Sequence, residues 1–199
     1  YERSLRLASG LARVGLRPGD RLAVLMGNSV DMVTSEWACL LCGFLWVALN
    51  VRSADRELEE ILADSIPAVL IVGSEHAVRS ASLRLPAGCR VVCAGPELEA
   101  LLGPPQAPYP PPGAEDPVRI RYTSGTSGRP KGAVLVRRCY DASVRAVERA
   151  IGPISADGSL LQVAPMTHAS GAMLFPHVKA GAKAYLLDRF EAGLVAKVI

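Results

Sequence analysis

Long apolar runs are missing from this sequence. The longest stretch without a polar or charged side chain, Trp37 to Leu49, has 13 residues, against the ~20 that a helix needs to cross a bilayer. No transmembrane helix is expected. Charge of one sign is scarce as well: 22 Lys+Arg face 19 Asp+Glu, for a net charge of +3. The charges are evenly spread, which argues against a nucleic-acid partner. Cysteine is sparse and odd in number, at five. Cys39 and Cys42 form a C-x-x-C, but no second Cys pair or Cys/His pair stands at zinc-site spacing. Both lie in an apolar helical pattern and read as small buried thiols. His76, His168 and His177 are too scattered to form a metal site. A reducing, cytoplasmic setting is the default expectation for such cysteine usage.

What is present describes a globular chain. Half of the 199 residues are apolar, and a chain of this length buries roughly 70% of its unfolded surface. Residues 2–14 read as a helix, and 21–26 as a short strand after the Arg17-Pro18-Gly19-Asp20 turn. Asn28 is placed to cap the next helix, with Val30, Val33, Trp37 and Leu41 on its buried side. A further helix runs to Ser65, its Glu57, Glu59 and Glu60 forming a solvated face. Strands follow at 68–72 and 90–94. This alternation predicts one largely parallel sheet.

Eight of the fifteen prolines fall between Pro96 and Pro117, so 96–117 reads as a semi-rigid extended connector. A ligand for a proline-recognising domain is the lesser alternative. The expected division is therefore a first α/β lobe over 1–95, the connector over 96–117, and a second α/β lobe over 118–199. In the second lobe, strands are expected at 118–122, 132–136, 159–164 and 183–187, and helices at 138–151 and roughly 170–180. Tyr1 is not an initiator Met, a helical pattern starts at once, and the last helix lacks a stop signal. Both ends read as cut from a longer protein.

Chemistry concentrates in Tyr122-Thr123-Ser124-Gly125-Thr126-Ser127-Gly128-Arg129-Pro130-Lys131-Gly132. Glycines let backbone N–H groups turn into one concavity, hydroxyls add uncharged donors, and Lys131 supplies a mobile cation; the set suits a polyphosphate. A plain Gly/Ser hairpin loop is the bland alternative. It explains neither four hydroxyls nor the position of Lys131, the sole Lys in a stretch of 178 residues in a chain with 4 Lys among 22 basic residues. A Walker A loop is excluded because Pro130 stands where its second Gly belongs, and no G-x-G-x-x-G is present. The following Gly132-Ala133-Val134-Leu135-Val136 is β-like, so an irregular strand-to-strand loop is expected.

This segment resembles the phosphate loop of the adenylate-forming superfamily, which includes acyl-CoA synthetases, luciferases and the adenylation domains of peptide synthetases. Against Tyr-Thr-Ser-Gly-Thr-Thr-Gly-x-Pro-Lys-Gly only Ser127 departs, and it keeps the hydroxyl. Three further stretches resemble family elements in the same order. They are Gly15 to Val24, Gly43 to Asn50 (with Ala48 where Pro is usual) and Ala164-Pro165-Met166-Thr167-His168-Ala169-Ser170-Gly171. The resemblance spans nearly the whole chain.

The resemblance implies an α/β fold of layered, mostly parallel sheets flanked by helices, part of the N-terminal domain of an acyl-CoA synthetase-like fold. It implies ATP-dependent activation of a carboxylic acid as acyl-adenylate, then thioester formation with CoA or a carrier-protein thiol. Thr123, Ser124, Gly125, Thr126, Ser127, Gly128 and Lys131 would bind ATP phosphates. Lys131 would act on the departing pyrophosphate. His168 stands where acyl-CoA synthetases carry an aromatic or His beside the acyl pocket; capping of the next helix is the alternative. Thr167-His168 replaces the Phe-Asp of peptide-synthetase domains, which favours a fatty or aromatic acid without an α-amino group. The family's Tyr-Gly-x-Thr-Glu and Thr-Gly-Asp elements do not occur, so the Mg2+ ligand is expected outside this stretch and 1–199 alone is expected to be inactive. A non-catalytic ATP-binding module, an acyl-AMP ligase and a peptide-synthetase adenylation domain stay open as alternatives.

Overall fold

A computed structural model describes residues 1–123 and 129–198. Contacts divide the chain into two units, one of residues 1–26 and 31–139, the other of 27–30 and 140–199.

The first unit is built on a six-stranded sheet of order β4-β3-β1-β2-β5-β6. Its strands are β1 (Arg21–Leu25), β2 (Leu45–Leu49), β3 (Val69–Val72), β4 (Arg90–Cys93), β5 (Pro117–Thr123) and β6 (Lys131–Val136). The first five are parallel and β6 is antiparallel to β5. The helices are α1 (Glu2–Arg13), α2 (Val30–Cys42), α3 (Asp55–Ser65), α4 (Ala77–Ser82) and α5 (Pro96–Leu101). The expected parallel pairing of the segments near 21–26, 68–72 and 90–94 is what β1, β3 and β4 do. Ala23, Leu25, Val47, Leu49, Leu58, Leu62, Leu70 and Val72 form the core beside β5. Such near-continuous apolar strands are what a sheet covered on both faces requires.

Four expectations are corrected. The chain does not divide at residue 118, because β5 extends the first sheet beside β2, with Trp46 opposite Arg119 and Val47 opposite Ile120. The proline-rich stretch is not extended throughout: Pro96 opens α5, whose Leu98 and Leu101 are buried. Proline fits there because the first helical turn needs no N–H partner. The buried side of α2 is not the one marked by its large apolar residues. Val30 is 63% exposed, whereas Ser35, Glu36, Cys39 and Cys42 are buried. That side is small and polar because it receives Trp46, whose indole N–H donates to Ser35 Oγ at 3.1 Å, and the Arg119 guanidinium. Finally, β2 occupies 45–49, where no strand was expected. Burial raises the pKa of both Cys39 and Cys42, so they stay thiols, as inert core residues do.

The join between α1 and α5 depends on a glycine. A Cβ at Gly10 would lie 1.9 Å from the Leu101 carbonyl oxygen. The obstructing atom is backbone, so Gly10→Ala is expected to destabilise the protein by ~1–3 kcal/mol through overpacking. An urea melt with a lowered midpoint and unchanged slope checks this.

The second unit contains α6 (Arg137–Ile151) from residue 140 on, β7 (Ser159–Gln162), a 3-10 turn (Ala169–Met173), α7 (Leu174–Lys179), β8 (Lys183–Leu186) and α8 (Ala192–Val198). β7 and β8 pair in parallel through the 3-10 turn and α7. No described helix is long and apolar enough to cross a membrane.

Candidate active site

The carboxyl ends of the parallel strands are where open α/β sheets bind ligands, and the phosphate-loop sequence leaves β5 at that end. Thr123 closes β5 and Lys131 opens β6, and the two are direct partners across the antiparallel ladder. The pairing brings together two residues that are eight positions apart. Both are exposed. Ser124, Gly125, Thr126, Ser127 and Gly128 lie outside the described residues. No helix follows: Arg129 and Pro130 are non-helical and β6 starts at Lys131. The described residues on either side, Thr123 and Lys131, are both strand, whereas a Walker loop runs directly into a helix.

Two side-chain anchors hold the hairpin base. On one face, Arg119 donates to Glu36 Oε1 at 3.0 Å, and its guanidinium carbon sits 4.4 Å from the Trp46 ring centroid. Arg119 and Glu36 are only 5% and 8% exposed. The next residue on that face, Arg121, is partly buried; burial and neighbouring Arg119 lower its pKa. On the other face, the Tyr122 hydroxyl donates to Asp64 Oδ2 at the end of α3. That helix end is itself fixed: Ile66 adopts a left-handed conformation (φ 44°). The Arg21 guanidinium donates to the Ser65 and Ile66 carbonyls, both at 2.7 Å, satisfying acceptors that a helix end leaves open. Gly132, opposite Tyr122, admits the ring, since a Cβ there would approach Tyr122 to 3.0 Å.

Burial first, and the adjoining Asp64 carboxylate second, push the Tyr122 phenol above its ordinary pKa. The folded state thus holds this proton more tightly than the unfolded chain, whose phenols ionise near ~10. The resulting contribution to stability is complete below that value and is lost as pH rises beyond it. Tyr122→Phe is therefore expected to flatten the alkaline fall in stability and to remove an alkali-resistant phenol from an ultraviolet titration. Identical alkaline curves for both proteins would contradict this.

His168 belongs to the second unit, in a turn fixed by backbone contacts. Its N–H donates to the Pro165 carbonyl at 3.3 Å, and Ser170 Oγ donates to the same carbonyl at 2.6 Å. Gly171 donates to the His168 carbonyl at 3.2 Å. A side chain at Gly171 would meet the Met166 carbonyl oxygen at 2.5 Å, so only glycine fits. His168 occupies the N-cap position of the 3-10 turn, yet its side chain makes no capping bond and is exposed. Its backbone is held while its imidazole stays open to solvent.

Asn28 differs from its expected role. Its side chain does not cap α2: the amide donates to the Ala164 and Leu187 carbonyls at 3.0 Å each, and Oδ1 accepts from the Met166 N–H at 2.9 Å. Cap chemistry and this stapling use the same amide, so local sequence offers no signal that separates them. Among the described residues no group of three or more His, Cys, Asp or Glu is placed to hold a metal ion.

Comparison with known proteins identifies the family. The model of the family described as AMP-binding enzyme matches residues 1–199, and the chain belongs to that family. It is 35% identical over 211 residues to a feruloyl-CoA synthase of an Amycolatopsis species, covering 99% of this chain and 40% of the relative. It is 34% identical to an indoleacetate–CoA ligase of Aromatoleum aromaticum over 200 residues, covering 94% of this chain and 39% of the relative. Among solved structures, ATP-bound MatB from Rhodopseudomonas palustris aligns with a TM-score of 0.84 at 25% identity, over 99% of this chain and 41% of that one. The inhibitor-bound N-terminal domain of FACL13 from Mycobacterium tuberculosis aligns with a TM-score of 0.86 at 28% identity, over 100% and 51%. The chain thus spans about 40% of the length of these curated relatives.

Proposed function

We propose that the protein carrying this chain activates a carboxylic acid with ATP as an acyl-adenylate and passes the acyl group to a thiol, that of CoA. The observation that supports the reading is the Thr123–Lys131 pairing at the carboxyl end of the parallel sheet, which brackets a hydroxyl- and glycine-rich stretch of sequence. In the first step a carboxylate oxygen attacks the α-phosphorus of ATP as the bond to pyrophosphate breaks, and pyrophosphate leaves. In the second, the thiolate attacks the acyl carbon and AMP leaves.

Thr123 through Gly128 offer N–H and hydroxyl donors to the phosphate oxygens, and the Lys131 ammonium follows the charge that builds on the leaving pyrophosphate. Electrostatic stabilisation of that kind is the main protein contribution to phosphoryl and nucleotidyl transfer. Mg2+, when bound with ATP, neutralises phosphate charge; no residue of this chain is assigned to it. His168, on its fixed turn, borders the acid. The names of the relatives, a feruloyl-CoA synthase and an indoleacetate–CoA ligase, support an aromatic acid within the broader fatty-or-aromatic class.

The test is exchange of labelled pyrophosphate into ATP by the complete protein with a panel of aromatic and fatty acids. Acid-dependent exchange is expected. ATP binding without exchange for any acid would favour a non-catalytic nucleotide-binding module, and thioester formed only on a carrier protein would replace CoA as acceptor.

A further inference from the structure

The turn that carries His168 is held from a distance in sequence by one buried amide. Asn28 is 7% exposed, lies 136 residues before Ala164, and uses both amide hydrogens and its oxygen on three backbone groups. Its contacts are specific in place. The Ala164 carbonyl follows β7, the Leu187 carbonyl follows β8, and the Met166 N–H lies two residues before His168. The Ala164 carbonyl accepts a second bond, at 2.7 Å, from Gln162 Nε2, itself 3% exposed. A pair of buried amides therefore fixes the end of both strands and the start of the turn, with all of Asn28's hydrogen-bonding groups in use.

From this we infer that Asn28 is a positioning residue for the acid side of the site. It holds the Ala164–Met166 backbone so that the Thr167–His168 step presents the imidazole to the carboxylic acid. The inference rests on the proposed reading of His168. No other side chain type does this work. Aspartate keeps an acceptor for the Met166 N–H but has no hydrogens for the two carbonyls and sets a negative charge beside them. Glutamine has the same groups one methylene too far out for a packed site.

Steady-state kinetics of the complete protein with N28D, H168A and the double variant test it. N28D is expected to raise the KM for the acid by about tenfold or more, on the scale of one or two lost buried hydrogen bonds, with the KM for ATP within about twofold. H168A is expected to raise the acid KM as well, and N28D added to H168A to have much less effect than N28D alone, since the two act through one turn. Parallel rises in both KM values, or full additivity, would overturn the inference. If H168A raises the acid KM and N28D does not, the inference fails while the His168 reading stands. If N28D raises it and H168A does not, the His168 reading fails and the inference that rests on it falls with it. Should N28D not fold, hydrogen exchange of the unsubstituted protein decides. Saturating acid is expected to increase protection of 27–28 and 164–171 together, and an acid that alters neither would overturn the inference.

Discussion

Lys131→Ala is expected to slow acid-dependent pyrophosphate exchange by the complete protein about 10- to 150-fold. A charge-assisted hydrogen bond contributes ~1.5–3 kcal/mol, and each ~1.4 kcal/mol corresponds to a factor of ten. The fold should survive, because Lys131 is exposed at the first position of an edge strand and alanine is compatible with an extended backbone. The melting temperature should shift by no more than a surface substitution gives. Lys131→Arg is expected to recover only part of the activity, since a planar guanidinium cannot follow a moving phosphate as a compact ammonium does. Unchanged exchange in a normally folded Lys131→Ala protein would remove this residue from the site.

Glu36→Ala is expected to destabilise the protein by about 3–5 kcal/mol, because it leaves the Arg119 guanidinium buried without its carboxylate. For a chain of this size that is a fall of roughly 6–20 °C in melting temperature. Replacing both residues together, Glu36→Leu with Arg119→Met, should cost less than Glu36→Ala alone. Two desolvated charges are then removed with their mutual attraction, and the thioether chain can still pack on Trp46. If the double substitution is the more damaging, the ion pair is a net stabiliser and the account of β5 anchoring needs that correction. Glu36→Ala should also weaken ATP use, as its partner Arg119 lies on the strand that ends at Thr123.

The parallel strands and the strands on either side of the glycine- and hydroxyl-rich stretch were legible because their residues obey local rules: β-branched runs between glycine and proline turns. What escaped was decided by partners distant in sequence. Between Trp37 and Leu49 every residue but Gly43 is apolar, so periodicity cannot separate helix from strand. The break comes at Gly43, at φ 73°, whose N–H closes α2 on the Cys39 carbonyl. The polar face of α2 is buried only because Trp46 and Arg119 arrive from other strands. Asn28 reads locally as a cap and becomes a staple because Ala164, Met166 and Leu187 are brought to it. The boundary at 118 was misplaced for a related reason: a proline-rich stretch looks like a linker, while the pairing of β5 with β2 is set by side chains from α2 and β2.

The central claim, attack of a carboxylate on the α-phosphorus, is tested most directly by an isotope. The complete protein is given ATP, CoA and an aromatic acid labelled with oxygen-18 in both carboxylate oxygens, and the products are analysed by mass spectrometry. The account predicts AMP carrying one labelled oxygen, with unlabelled pyrophosphate. Label in inorganic phosphate together with ADP would mean attack at the γ-phosphorus, and would contradict it.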